Sequence, residues 1–426
     1  MIERGSHMDQ DVGLNFTMVE DPAPKGVRRV RIKVVGVGGA GGNAVNRMIR
    51  AGLSGVEFVA VNTDFQDLEK SLAPTRVAIG QKLTQGLGTG GFPERGEKAA
   101  IEDTDLLVEH LQGADLIFIT AGMGGGTGTG AAPVLARLAQ ESGALTVAVV
   151  TRPFSMEGKV REKNALYGLD QLREAAATLI VIPNDNLLLN LPEDVSDDEA
   201  FEAADDVLRQ GVQGITDLIT RPGKINLDFE DARTVLSAGG RAVMGMGQAL
   251  GADRAVAAAS KAANNPLLED ASIQGARAIL INFTGGNRIA LKEMKEACDL
   301  VLEKAHPEAN LLFGTSMDET LGDELRVTVV AAAFDDAEVK APRKPLLAAV
   351  QAPAAQVAEA PPANAFGSVP GVDSALPAAA PSGFLRGFGK RGLFVNPNET
   401  PITPGSPMER DYEEYQTPTF IRKSRE

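Results

Sequence analysis

The chain has 426 residues, a hydrophobic fraction of 43% and a formal net charge of −15. This length and apolar content are enough for two or three domains with buried cores. The negative charge argues against general nucleic-acid binding, because a polyanion is repelled at long range. The single cysteine, Cys298, excludes an internal disulfide, and three scattered histidines argue against a histidine-based metal site. With no apolar run of membrane-spanning length and no signal peptide, the sequence predicts a soluble cytoplasmic protein.

The first part of the chain shows a strand–helix alternation. Residues 1–30 contain a stretch typical of cloning leftovers, "MIERGSHM", and a polar lead-in. Five Val/Ile/Leu-rich runs follow between residues 31 and 198, separated by segments with helical spacing: "RIKVVGV", "VEFVAVNTD", "ADLIFITAG", "LTVAVVT" and "LIVIPND". Apolar runs that alternate with helices predict a parallel sheet covered on both faces. We therefore expect a doubly wound α/β domain over residues 31–198.

A long helix and a second domain are predicted next. Apolar residues recur every three or four positions within residues 199–222, which predicts a helix with one apolar stripe. The members of this stripe are Phe201, Ala204, Leu208, Val212, Ile215 and Ile219. Residues 223–335 read as a smaller α+β domain, with helices near 231–250 and 289–304 and strands at 277–283 and 324–333.

The end of the chain differs in amino-acid composition from the part before it. Residues 336–410 are rich in proline and alanine without sustained periodicity, which predicts a disordered linker. Residues 411–426 regain aromatic and charged side chains, with Tyr412, Tyr415, Phe420 and Ile421 as the large apolar anchors. We interpret this terminal segment as a docking peptide that becomes ordered on a partner; a tail that simply ends there is the alternative.

Two glycine-rich loops each follow a predicted strand and precede a predicted helix. "GVGGAGGN" (36–43) matches G-x-G-x-x-G, a weak dinucleotide-binding signal on its own, and Asp64 could supply the acid that such a fingerprint requires. "GMGGGTGTG" (122–130) precedes a helix expected from near Ala131. Glycine lets backbone N–H groups approach a ligand, and the helix start adds unpaired donors and the positive end of its dipole. These loops predict a phosphate cradle, with tight structural turns as the alternative.

Further residues narrow the chemistry. The hydroxyls of Thr127 and Thr129 would donate to phosphate, and "GLGTGGFPERG" (86–96) is a third glycine-rich candidate. The G-x-x-x-x-G-K-[ST] sequence does not occur, which excludes an ordinary P-loop NTPase. The negative charge of the phosphates would instead be neutralised by backbone amides, threonines and Mg²⁺. The alternative function, a nicotinamide-dependent oxidoreductase, would account for the first loop and Asp64, but it would leave the second loop without a function.

The motifs together resemble the FtsZ family of the tubulin superfamily, the bacterial cell-division GTPases. The stretches that carry this resemblance are "VVGVGGAGGNAVNRM", "GGGTGTG", "PFSMEGKVR", "IPND", "NLDFEDARTVL" and "DELRVTVVA". They cover residues 31–335 almost without interruption, and the last ten residues match as well. The resemblance implies GTP as substrate, GDP as product, and Mg²⁺ held mainly by the phosphates.

The resemblance also implies a set of nucleotide-binding residues. Phosphate and sugar contacts are expected from Gly39, Ala40, Gly41, Gly42 and Asn43, and β- and γ-phosphate contacts from Gly126, Thr127 and Gly128. Glu157 and Arg161 would contact the ribose region. Asn184 and an acid of the long helix would approach guanine; here the family's Asn–Asp pair is Asp205–Asp206, and Asp205 is favoured. Thr89 and Phe92 depart from the commoner alanine-rich form of the third loop.

The remaining implication concerns Asp228 and Asp231. As sequence alone, Asp228 is a good helix N-cap and Asp231 could complete a capping-box-like pair, which is a purely structural interpretation. In the family this loop enters the nucleotide pocket of the neighbouring subunit, where both carboxylates would orient the attacking water. The resemblance thus predicts an assembly-dependent GTPase that polymerises head to tail into a division ring at the inner face of the membrane at midcell. A structural filament with an idle nucleotide is the alternative. Phe420, Ile421, Arg422 and Lys423 would dock on membrane-anchoring division proteins.

Overall fold

The computed structural model describes residues 29–334 apart from 190, 193, 222, 266–272 and 287–288. By its contacts the chain divides into two units, residues 1–355 and 356–426, and every described residue lies in the first. Residues 1–28, the predicted linker and the predicted docking peptide with Phe420, Ile421, Arg422 and Lys423 lie outside the described residues. Within the described part of the chain, no helix combines the length and apolar character needed to cross a bilayer.

One 10-stranded sheet runs through the described residues in the order β3-β2-β1-β4-β5-β6-β7-β10-β8-β9. Its strands are β1 (Ile32–Val37), β2 (Val56–Asn62), β3 (Thr75–Ala78), β4 (Leu116–Gly122), β5 (Leu145–Arg152), β6 (Thr178–Pro183), β7 (Gly240–Ala249), β8 (Ala278–Gly285), β9 (Asn310–Met317) and β10 (Leu325–Ala332).

Twelve helices are described together with two short 3₁₀ turns. They are α1 (Gly38–Arg50), α2 (Phe65–Glu69), α3 (Gln81–Thr84), α4 (Pro93–Glu102), α5 (Thr104–Leu111), α6 (Thr127–Glu141), α7 (Lys159–Ala175), α8 (Asn184–Leu187), α9 (Asp197–Thr220), α10 (Phe229–Ser237), α11 (Arg254–Ala263) and α12 (Leu291–Lys304); the turns are Ser155–Glu157 and Glu319–Leu321.

The first six strands are all parallel, as the sequence predicts. Successive side chains point to opposite faces, so Val34 packs in the core beneath α1 and α9 while Val35 packs in the core beneath α4, α6 and α7. Because both faces are buried, these strands read as continuous apolar runs rather than alternating ones. The predicted doubly wound architecture is confirmed.

The second half of the sheet is mixed. β7 pairs parallel with β6 and antiparallel with β10, β10 pairs antiparallel with β8, and β8 pairs parallel with β9, which leaves β9 at the edge. Helices α11 and α12 cover one face of this half, where Cys298 is buried and burial raises the pKa of its thiol to about 11. The predicted smaller α+β region is therefore present, and it shares one sheet with the first half.

The helix predicted near 231–250 is wrong beyond Ser237. Gly239 and Gly240 adopt positive φ values of 89° and 80°, which end α10, and the following residues form β7. A Cβ at Gly245 would clash with the carbonyl oxygen of Ala262, because α11 lies directly on this strand. Tertiary pairing with β6 and β10 thus overrides the helix-forming alanines and methionines of the segment.

Helix α9 has 24 residues, which corresponds to a length of ~36 Å. It begins with a capping box, in which Ser196 accepts from the backbone N–H of Glu199 and Glu199 accepts from that of Ser196. At its other end, Thr220 packs against Gly55, in the turn that precedes β2. The helix therefore spans the domain from one end of the parallel strands to the other.

Candidate functional site

A cleft of about 280 Å³ opens at the carboxyl ends of the parallel strands. From β1 the sheet extends through β2 to β3 on one side, and on the other side it extends from β4 through β5 to β6. The strand order therefore reverses between the neighbouring strands β1 and β4. Loops from these two neighbouring strands diverge at such a switch point and leave a crevice for a ligand. Both predicted glycine loops begin here, the first after β1 and the second after β4.

The first two glycine loops touch each other. Gly38 has a φ of +72°, and a Cβ placed on it would lie 2.9 Å from the backbone N of Gly128. A side chain at Gly38 would therefore be strained and would displace the second loop. The glycine at this position lets both backbones line one cavity.

The third glycine segment closes against the second loop. A Cβ at Gly126 would clash with the hydroxyl of Thr89 and would lie 2.9 Å from the backbone N of Phe92. Gly88 and Thr89 line the same cleft as Gly126, and Thr89 is buried. All three glycine-rich segments thus converge on one cavity.

Helix α6 begins at Thr127, four residues before the position that the sequence predicts. Its first intrahelical bond closes from the N–H of Gly130 to the carbonyl of Gly126, so the N–H groups of Thr127, Gly128 and Thr129 have no intrahelical acceptor. The Thr127 hydroxyl shares a 2.6 Å hydrogen bond with the Thr63 hydroxyl. The Thr129 hydroxyl accepts from the N–H of Gly124 at 2.8 Å, and the residue is buried within the loop.

The opposite end of the cleft carries polar groups suited to a base. Asn184 is 4% exposed and its Oδ1 has no hydrogen-bond partner, although the residue lines the cavity. A buried polar atom without a partner is costly, which marks Asn184 as a candidate contact for a ligand. Phe201 also lines the cleft, with 43% of its surface exposed and its ring edge-on to Phe154. Phe201 belongs to the predicted apolar stripe of the long helix and lies where that stripe reaches the cleft.

Asp205 and Asp206 have opposite environments. Asp205 lines the cleft, and burial raises its pKa to about 7 despite the opposing effect of Arg47. Burial also opposes ionisation of Asp206, but hydrogen bonds from Arg209 at 2.7 Å, Gln210 at 2.5 Å and Arg47 at 3.2 Å outweigh it and lower its pKa. The Asp206 carboxylate is thus occupied by hydrogen bonds within the protein, whereas Asp205 faces the cavity.

Charged side chains around the cleft are mainly acidic. Arg161 is the only cationic side chain among its described lining residues, and its guanidinium pairs with Glu157 at 2.6 Å. Asp64 and Asp67 also line the cleft, and Asp64 caps α2 by accepting from the N–H of Gln66 at 2.9 Å. Within the described residues, no cluster of three or more metal-ligating side chains occurs.

Most of the predicted nucleotide-binding residues line the cleft. These are Gly39, Ala40, Gly126, Thr127, Gly128, Glu157, Arg161, Asn184 and Asp205. Gly42 and Asn43 line a smaller adjoining cavity of about 40 Å³. Gly41 lines neither; it is buried against the carbonyl oxygen of Thr120. The sequence analysis did not single out Asp67 or Phe201 as lining residues.

Asp228 and Asp231 lie away from this cleft. Asp228 accepts from the N–H of Asp231 at 2.8 Å and forms the N-cap of α10, and both side chains are exposed. They follow the end of α9 that packs on the turn before β2, whereas Phe201 and Asp205 near the start of α9 line the cleft. The acidic pair and the cleft therefore lie near opposite ends of α9.

Comparison with known proteins agrees with this architecture. Residues 31–191 match the GTPase domain of the Tubulin/FtsZ family, and residues 240–335 match the C-terminal domain of the FtsZ family. An FtsZ dimer from M. jannaschii is 42% identical with a TM-score of 0.69, over 74% of this chain and 96% of that one. The chain belongs to the FtsZ family. It is a GTPase, so the oxidoreductase alternative is set aside.

Two further structures extend the comparison of this FtsZ-family chain. A single-residue variant of the M. jannaschii FtsZ is 44% identical with a TM-score of 0.69, over 72% of this chain and 92% of that one. CetZ2 from Haloferax volcanii, a GTPγS-bound protofilament, is 24% identical with a TM-score of 0.63, over 72% and 95% of the two chains. The likeness to CetZ2 concerns the fold alone.

Proposed function

We propose that this GTPase polymerises head to tail and that each active site is divided between two subunits. One subunit binds GTP in the cleft, and Asp228 and Asp231 of the next subunit complete the site. The observation that carries this proposal is the separation of the two parts, which lie at opposite ends of a ~36 Å helix within one chain. A head-to-tail contact joins such unlike surfaces and repeats into a filament.

The triphosphate is held by main-chain donors. The N–H groups of Thr127 and Gly128 at the start of α6, with the glycine loop at Gly39 and Ala40, face the phosphate end of the cleft. The positive end of the α6 dipole adds to this attraction. When bound, Mg²⁺ would supply positive charge to the phosphates. The carboxylates of Asp64 and Asp67, which line the same cleft, would provide oxygen ligands for the ion or for its bound water molecules.

Guanine binds at the other end, against the exposed ring of Phe201. The Asn184 side chain gains the partner that its Oδ1 lacks. The Asp205 carboxylate accepts hydrogen bonds from guanine N1–H and the N2 amino group, two adjacent donors that adenine does not present. Glu157 and Arg161 border the ribose region.

Hydrolysis needs a water molecule in line with the γ-phosphate. The carboxylates of Asp228 and Asp231 accept hydrogen bonds from that water, orient its oxygen toward phosphorus and stabilise the proton that it loses, while GDP leaves with the electrons of the broken P–O bond. Phosphoryl transfer depends mostly on such positioning and charge stabilisation. Loss of the γ-phosphate then weakens the contact between subunits; coupling of this kind is typically ~1–3 kcal/mol.

The cellular role follows from the family. We propose that the filaments form the division ring in the cytoplasm, at the inner face of the membrane at midcell. Phe420, Ile421, Arg422 and Lys423 would dock on membrane-anchoring division proteins, and the linker at 336–410 would hold the filament away from the membrane.

Mixing two inactive variants tests the divided site. Asp231→Ala keeps an intact cleft, and Asp205→Ala keeps an intact acidic loop while its GTP affinity is reduced. At a GTP concentration where each variant alone turns over slowly, a mixture should regain activity, because about one contact in four then joins an intact cleft to an intact loop. Normal GTP turnover by Asp231→Ala, or full turnover by a dilute monomer, would contradict the proposal.

A further inference from the structure

The side chains of the segment that leads to the acidic pair alternate between two environments. Ile225 and Leu227 are partly buried against the two cores that meet here, whereas Lys224, Asn226 and Asp228 are exposed. Alternation with a period of two is the pattern of a strand that lies on a surface. The position of Asp228 therefore depends on how firmly this segment is held.

Thr315 of the edge strand β9 holds the segment through three hydrogen bonds. The backbone N–H of Thr315 donates to the carbonyl of Ile225 at 2.9 Å. The Thr315 hydroxyl accepts from the N–H of Ile225 at 3.0 Å and donates to the carbonyl of Ile225 at 3.4 Å. The hydroxyl thus stands in for a strand partner at the N–H of Ile225, whose carbonyl already accepts from the Thr315 backbone N–H.

Two glycines allow this close contact. A Cβ at Gly223 would clash with the carbonyl oxygen of Thr315, and a Cβ at Gly314 would lie 2.8 Å from a methyl group of Leu218 and 3.5 Å from the Ile225 carbonyl oxygen. The segment therefore lies on the backbone of β9 itself, with no intervening side chain. Thr315 is 7% exposed, so water does not compete for its hydroxyl.

We propose that Thr315 is a positioning residue for GTP hydrolysis. Its hydroxyl fixes Ile225, three residues before the N-cap Asp228, and through that cap it fixes Asp231. The inference rests on the proposed function, because it matters only if the acidic pair works on the neighbour's nucleotide. Thr315 touches neither nucleotide nor water in this scheme and acts through the segment that it holds.

A small displacement of the acidic pair is enough to affect the rate. Misplacing a catalytic group by about 1 Å costs up to ~100-fold in turnover. Thr315→Val keeps the shape of the side chain and its backbone N–H bond but removes the hydroxyl. We expect a loss of about 10-fold to 100-fold in turnover per assembled subunit, with the dissociation constant for GTP changed by less than about two-fold.

The experiment compares four variants of the full chain. Thr315→Ser retains the hydroxyl and should keep wild-type turnover. Gly223→Ala adds a methyl group that pushes the segment away from β9, and it should reproduce the effect of Thr315→Val without altering Thr315. Thr104→Val removes a buried hydroxyl from α5, where it donates to the Ile101 carbonyl at 2.8 Å, and serves as a control for general destabilisation.

Three measurements separate positioning from stability: GTP turnover well above the assembly threshold, GTP affinity below it, and sedimented polymer with a slowly hydrolysed GTP analogue. Positioning predicts that Thr315→Val loses turnover while affinity and polymer mass stay constant, and that Thr315→Ser recovers turnover. Full turnover by Thr315→Val, equal losses in the Val and Ser variants, or a loss that parallels loss of polymer would each overturn the inference. If Asp231→Ala itself hydrolyses GTP normally, the proposed function fails instead.

Discussion

The pKa of Asp205 makes GTP affinity depend on pH in a defined direction. In the free protein this pKa is about 7, because burial disfavours the carboxylate. Guanine N1–H and its N2 amino group are both donors, so the ionised carboxylate is the form that binds. The carboxylate is about nine-tenths ionised at pH 8 and about one-tenth at pH 6, and apparent affinity scales with that fraction. We expect affinity to fall roughly 10-fold between pH 8 and pH 6.

The Asp205→Asn variant isolates this effect from titration of the phosphates. It should remove the additional pH dependence and weaken GTP binding by roughly 10-fold to 100-fold, because a charged acceptor is lost and the new amide faces the N2 amino group. Xanthosine triphosphate carries a carbonyl at C2 and should bind the variant better than GTP does. Equilibrium titrations below the assembly threshold measure both nucleotides. The reasoning fails if wild type and Asp205→Asn show the same pH profile, or if the variant keeps full preference for GTP.

The same carboxyl also affects folding stability without nucleotide. Its pKa in the folded protein lies above the ordinary value of 3.8, so the folded state retains a proton that the unfolded chain has lost. The stabilisation is fully present below pH ~4 and is lost as the pH rises through about 7. Thermal unfolding should therefore show wild type losing stability relative to Asp205→Asn over this interval; a constant difference would contradict the assigned pKa.

Three further outcomes are expected. Asp228→Ala should cost about 1 kcal/mol in unfolding free energy through loss of the α10 N-cap, whereas Asp228→Asn should keep the cap and stability but lose turnover, as measured by denaturant unfolding beside phosphate release. Gly245→Ala should destabilise the fold by about 1–3 kcal/mol, because its methyl group would clash with the Ala262 carbonyl of α11; unchanged chemical denaturation would argue against that packing. Removing Mg²⁺ with a chelator should weaken GTP binding by about 10-fold or more, since Arg161 is the only cation among the described lining residues, and equal affinity with and without chelator would refute this.

The convergence of the glycine loops was predictable from the sequence, because glycine occupies the positions where the loops come into contact. Gly38 and Gly126 lie where two backbones meet, and no other residue fits those positions. The periodicity of α9 likewise predicted a long helix, and Asp197–Thr220 is close to the expected span. Such features depend on residues near one another along the chain or on a residue type with a single physical use.

Other features depend on neighbours that the sequence does not reveal. The residues of β7 include alanine, methionine and glutamine, which suit a helix, and only pairing with β6 and β10 makes them a strand. Phe201 shares the spacing of the apolar stripe but emerges where α9 passes the cleft. Asp205 and Asp206 are adjacent in sequence yet point ~100° apart on a helix, and Arg47 of α1 pairs with the second. The resemblance already favoured Asp205, and the packing of α1 on α9 gives the physical reason, because Arg47 engages Asp206.

A subunit cannot bring its own acidic pair to its own cleft without unfolding. From Asp205, which lines the cleft, α9 runs ~22 Å to its last residue Thr220, and the segment before Asp228 is then held on β9 by Thr315. Closing that gap would require releasing this segment from β9 or melting α9, which is secured by its capping box and by buried residues along most of its length. Because either rearrangement would break packing in a hydrophobic core, a second copy of the chain is the less costly source of the missing carboxylates. In the proposed mechanism, this separation within one chain makes hydrolysis depend on assembly.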